Sequence, residues 1–111
     1  MYVGVAVFEI HLPFSRSLKE KRQVVRSVRD RLRTRQELSV AEVALQDLHQ
    51  RARLAISMVS GDRGLIEQAF QSAQDVAADC DGEILGWNED ILEYDDDDPI
   101  GLPAPDEFGG E

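Results

Sequence analysis

The chain has 111 residues, 42% hydrophobic and 31% charged, with 12 Lys and Arg against 22 Asp and Glu and a formal charge of -10. A chain of this size buries only about 65% of its extended surface, which supports one small core and excludes separate catalytic and regulatory domains. A single cysteine, Cys80, excludes an intrachain disulfide and a thiolate-built zinc site.

No apolar run reaches the roughly 18 residues of a membrane span, and the chain opens on strand-like sequence instead of a charged n-region, so a cytoplasmic location is expected. The charge is uneven. Residues 95–111 hold seven acids and no base, leaving 15 acids and 12 bases for residues 1–94. Pro99, Pro103, Pro105 and few large apolar groups give that stretch too little to bury against its ordering entropy. The expected division is a folded domain over 1–95 and a disordered acidic tail over 96–111.

Residues 2–12 are β-branched and apolar and then alternate, which predicts a central strand ended by Pro13. Ser17-Leu18-Lys19-Glu20 is a capping box: the Ser17 hydroxyl accepts from the Glu20 amide and the Glu20 carboxylate reaches back to the Ser17 amide. A helix follows to about Arg35, with Leu18, Val25, Val28 and Leu32 at helical spacing and Lys21 and Arg35 at the margins, extending their charges to water. Residues 38–45 and 51–60 read as a second and a third strand. Asp62 caps a second helix carrying Leu65, Ile66, Ala69, Phe70, Ala73, Val76, Ala77 and Cys80, which Asp81-Gly82 breaks. Residues 83–94 give a fourth strand with Trp87, Ile91 and Leu92 as its bulky groups.

The order β-α-β-β-α-β predicts a ferredoxin-like α+β fold: a four-stranded antiparallel sheet in order 4-1-3-2, with both helices on one face. With Ala6, Phe8, Ile10 and Leu12 under the helices, Val3, Val5, Val7, Glu9 and His11 point to the open face, joined by Arg53, Ala55 and Ser57. Val3, Val5, Val7 and His11 are therefore the expected protein interface, most simply of a homodimer.

At 100° per residue, Lys19, Arg22, Arg26, Arg29 and Arg33 fall within a sector of about 80° beside the apolar stripe of the first helix. Such a ridge suits the phosphates of a nucleic-acid backbone, with Arg16 and Arg51 placed to help. The alternative is a solvated face whose arginines pair with the protein's own acids. The acidic tail is expected to compete with bound RNA, so that removing residues 95–111 tightens binding. The link between the second and third strands, Gln46-Asp47-Leu48-His49-Gln50-Arg51, is polar and lacks a glycine turn signal. RNA-recognition modules share this order of elements but stack bases on aromatics of the third strand. Here that strand offers Arg53, Ala55 and Ser57.

Catalysis has no comparable signal. His11 and His49 lie in different elements, and no nucleophile triad, phosphate loop or metal-ligand spacing is present, so no enzymatic activity, metal or cofactor is expected. Asp95-Asp96-Asp97-Asp98 lacks the glycine and closing glutamate of a calcium loop.

Val3-Gly4-Val5, the run SLKEKR at Ser17–Arg22, SVAEV at Ser39–Val43, Gln46-Asp47 and Gln50-Arg51-Ala52 together resemble the YlxP-like family, also called domain of unknown function 503. The resemblance covers residues 1 to about 94. It implies a small bacterial ferredoxin-like protein without established enzymatic activity, encoded near translation initiation and ribosome maturation factors, and hence a ribosome or RNA connection. The matching polar positions are Ser17, Lys19, Glu20, Lys21, Arg22, Gln46, Asp47, Gln50 and Arg51. Where the family commonly has a Trp before the Gln-Arg step, this chain has His49.

Overall fold

The computed structural model describes residues 1–36 and 38–95; the tail expected over 96–111 lies outside the described residues. The elements are β1 (Tyr2–His11), α1 (Leu18–Gln36), β2 (Ser39–Ala44), β3 (Arg51–Ser60), α2 (Arg63–Ala78) and β4 (Glu83–Glu93). The sheet order is β2-β3-β1-β4 and every pairing is antiparallel. This is the ferredoxin-like α+β plan, in the order expected from the sequence.

Alternation along β1 sorts its side chains cleanly. Ala6, Phe8 and Ile10 are buried with Leu54 and Ile56 of β3, while Val5 remains exposed on the other face. Val25, Val28 and Leu32 of α1 and Ile66, Ala69, Phe70, Ala73, Val76 and Ala77 of α2 close the core. α1 packs on β2 and β3, and α2 on β4, β3 and β1. Gly4 permits the close approach of α2: a Cβ there would lie 2.5 Å from Ile66 Cγ2 and 2.9 Å from the Phe70 ring. In β4 the register shifts opposite Val7–Glu9, and Gly86 takes φ 66° at that bulge. Next to it the Phe8 and Trp87 rings stack, with centroids 5.0 Å apart and planes 17° from parallel.

Four local expectations change. The Ser17 hydroxyl accepts from the Glu20 amide at 3.1 Å, but the Glu20 carboxylate takes the Arg16 amide at 2.9 Å instead of the Ser17 amide. There the Ser15 hydroxyl donates to the Ser17 carbonyl and tightens the entry turn. α2, capped by Asp62 accepting from the Gly64 amide, ends at Ala78, so Cys80 lies beyond the helix, half-buried, with its sulfur accepting from the Gly82 amide at 3.3 Å. Leu65 is exposed, because it falls about 100° from the buried Ile66 around α2, off the stripe that faces the core.

The fourth change concerns Lys21, which does not extend its charge to water. Its side chain is 1% exposed, and Nζ donates to the carbonyls of Leu45 (2.8 Å), Gln46 (3.2 Å) and Arg51 (3.2 Å). Those carbonyls frame the connection between β2 and β3, where Leu45 sits at φ 66°. A leucine in that region costs about 1 kcal/mol or more relative to glycine. The buried ammonium offsets that cost by binding the carbonyl that the strained residue presents. Lys21 thus does the work of the missing glycine turn signal. Gln50 joins the same corner to the β1–α1 turn by donating to the carbonyls of Pro13 and Ser15.

Candidate nucleic-acid interface

α1 presents Lys19, Arg22, Arg26 and Arg33 exposed to solvent, with Arg29 half-buried. Arg16 is exposed just before the helix. Because the ridge adjoins the apolar stripe, it runs along the side of the edge strand β2 instead of the back of the helix. Arg33 donates to the Val40 carbonyl of that strand at 3.1 Å, and Arg22, Arg26 and Arg29 line a cavity of about 220 Å³ together with Val25 and Glu42.

Among the described residues, carboxylates meet some of the arginines and not others. Arg31 pairs with Asp79 at 2.9 Å, Arg63 with Glu67 at 3.0 Å, and both Arg51 and Arg53 with Glu9. None of Arg16, Lys19, Arg22, Arg26, Arg29 or Arg33 forms an ion pair with an acid among the described residues. Arg31, Arg51, Arg53 and Arg63 are matched with carboxylates, and among the described residues the ridge is left as a row of charge without acid partners. Phe14 adds an aromatic ring, 47% exposed, two residues before Arg16. Sequence periodicity gave no sign of it, since it lies in a turn.

Arg51 is not brought to the ridge. It stands opposite His11 on the open sheet face, away from α1, where it and Arg53 hold Glu9 between them. The Arg53 guanidinium first, and Arg51 with it, hold the Glu9 carboxyl below the usual carboxylate range. A carboxyl lowered on folding stabilises the fold above its unfolded value and loses that contribution as pH falls through the folded one. Glu9→Gln is therefore expected to lower the urea midpoint at pH 7, with the difference from wild type shrinking as pH falls below the usual carboxylate range and through the lowered folded value. A difference that persists unchanged in acid would mean that packing, not charge, holds this cluster.

The same open face carries the other interface candidates. Val3, Val5, Val7 and His11 alternate along it, flanked by Val59 of β3 and Leu92 of β4, which are 64% and 47% exposed. His11 Nδ1 lies 3.7 Å from a Glu83 carboxylate oxygen on the neighbouring strand. One end of the face is apolar and the other holds the Glu9–Arg51–Arg53 cluster.

The model of the family described as Protein of unknown function (DUF503) matches residues 3–88. The chain belongs to that family. YlxP of Bacillus subtilis (strain 168), described as an uncharacterized protein, is 33% identical over 69 residues, covering 62% of this chain and 75% of that one. Among solved structures, the intact alpha subunit of aIF2 from Pyrococcus abyssi superposes with a TM-score of 0.48 and 20% identity over 78% of this chain. A C-terminal segment of the same subunit gives 0.41 and 19% over 85%. This chain spans 34% and 51% of those two chains. No helix among the described residues is long and apolar enough to cross a membrane.

Proposed function

We propose that this protein is a non-enzymatic, cytoplasmic RNA- or ribosome-associated protein that docks on backbone phosphates through α1. The observation that carries the proposal is the contrast among its arginines: Arg31, Arg51, Arg53 and Arg63 each meet a carboxylate, whereas Lys19, Arg22, Arg26, Arg29 and Arg33 meet none among the described residues. Guanidinium groups grip phosphate oxygens in pairs, and a rigid helix holds them at fixed spacing, so the ridge gains affinity without ordering a loop. Base stacking on the sheet has no support, because β3 presents no aromatic side chain. The test is equilibrium binding of the full chain to a structured RNA and to ribosomal subunits. Arg22→Ala/Arg26→Ala/Arg29→Ala is expected to weaken binding on the order of 100-fold at low salt. Equal affinity of the variant would remove the ridge from the mechanism.

Uncovered valines favour a second role, self-association through the open face. Three strands of ten or eleven residues and one of six, about 4.8 Å apart, present roughly 600 Å² per copy, or about 1,200 Å² per pair, the lower end of stable interfaces. Val3, Val5, Val7, Val59 and Leu92 supply its apolar part. Val5→Asp would place a carboxylate at the centre and is expected to shift sedimentation from dimer to monomer. An unchanged oligomeric state would exclude this face.

A further inference from the structure

Among the described residues, three side-chain atoms are buried without a hydrogen-bond partner: Arg29 Nε, Glu42 Oε2 and Trp87 Nε1. The first two belong to residues that line one cavity, between α1 and β2, together with Arg22, Val25 and Arg26. One is a donor and the other an acceptor, and buried polar groups left unsatisfied by the protein invite a ligand that satisfies them. Glu42 keeps its accepting capacity for a specific reason. Lys21 Nζ ion-pairs with Oε2 at 3.0 Å but directs its hydrogen bonds to three backbone carbonyls, and the Glu42 side chain, 19% exposed, keeps carboxylate lone pairs for another donor.

A carboxylate among three arginines weakens a site that has only phosphate to bind, because it repels the anion. It is useful where the ligand carries a hydroxyl donor beside its phosphate. We propose that this cavity seats one ribose-phosphate unit of RNA, with Arg22, Arg26 and Arg29 on the phosphate and Glu42 accepting a hydrogen bond from the 2′-hydroxyl. The assignment rests on the phosphate-binding role of α1 and adds to it a preference for RNA over DNA. In RNA the 2′-hydroxyl sits on the sugar carbon next to the one that bears the 3′-phosphate, so both groups enter one cavity together. Its volume of about 220 Å³ is below the roughly 300 Å³ at which pockets enclose drug-sized ligands. That leaves the base outside, in keeping with a wall that has no aromatic residue. The 2′-hydroxyl is the group by which proteins tell RNA from DNA at a given site.

The test uses the full chain and three single-stranded oligonucleotides of one sequence: RNA, DNA and 2′-O-methyl RNA, at one salt concentration. RNA is expected to bind about tenfold more tightly than either of the others. Glu42→Ala is expected to bring RNA down to the DNA level while leaving DNA binding no weaker, whereas Arg22→Ala/Arg26→Ala weakens both alike. Urea unfolding establishes that the Glu42 variant is folded. If it is not, the comparison of the three oligonucleotides on the wild-type protein decides alone. Equal binding of RNA and DNA overturns the cavity assignment and leaves the ridge standing. Binding of neither overturns the ridge and the cavity with it. An RNA preference that survives in folded Glu42→Ala removes Glu42 from recognition and likewise overturns the assignment.

Discussion

Lys21→Met is expected to destabilise the fold by about 3 kcal/mol or more, measured by urea unfolding at neutral pH. Methionine keeps an unbranched apolar stem, so the packing beside Val25 and Val28 changes little. The ammonium is what is lost. Its removal leaves the carbonyls of Leu45, Gln46 and Arg51 without their shared donor and the Glu42 carboxylate without its countercharge. It also releases the connection in which Leu45 holds a positive φ. Against a stability of about 5–14 kcal/mol for a domain of this size, the loss is large. Adding Glu42→Gln to Lys21→Met is expected to recover part of it, because the uncompensated charge disappears. A loss below about 1 kcal/mol would contradict the anchoring role of Lys21.

Phe8→Ala is the second large effect, expected to cost about 3–5 kcal/mol. Phe8 is 1% exposed and lies between the helices and the sheet, and its ring stacks on Trp87 across the β1–β4 pairing. Of the total, about 0.5–1.5 kcal/mol belongs to the ring pair and the rest to transfer and cavity. Trp87 is the one tryptophan of the chain, so its fluorescence reports the site directly. Its emission is expected to shift to the red in the folded variant as the ring loses its neighbour. A loss under about 1.5 kcal/mol with unchanged emission would mean that the bulge at Gly86 can collapse to fill the space.

The fold was readable because its signals are local. Alternation in β1 separates Ala6, Phe8 and Ile10 from Val3, Val5 and Val7, and in α1 the angular position of each base separates the ridge from the stripe. The charge of Lys21 argues for a water-seeking margin, but its angle, about 20° from both Val28 and Leu32 on the helical wheel, puts it in the middle of the apolar stripe. Its partners lie 24 to 30 residues away in a connection without periodicity, so nothing local names them. Glu42 had a partial signal: it shares the parity of Val40, which turns an acid toward the helices. The charge of Arg51 suggests a helper to the ridge, whereas its parity with Arg53 places it on the open face beside Glu9. The pairing of acids with some arginines and not others is a tertiary property and leaves no trace in composition.

The most direct test of the account is the salt dependence of RNA binding by the full chain, compared with Arg22→Ala/Arg26→Ala/Arg29→Ala. Four to five phosphate contacts predict a slope of log affinity against log salt of about -3 to -4, falling to about -1 to -2 in the triple variant. Absence of binding, or a slope that the three substitutions leave unchanged, would contradict the assignment of α1 as the phosphate-binding surface.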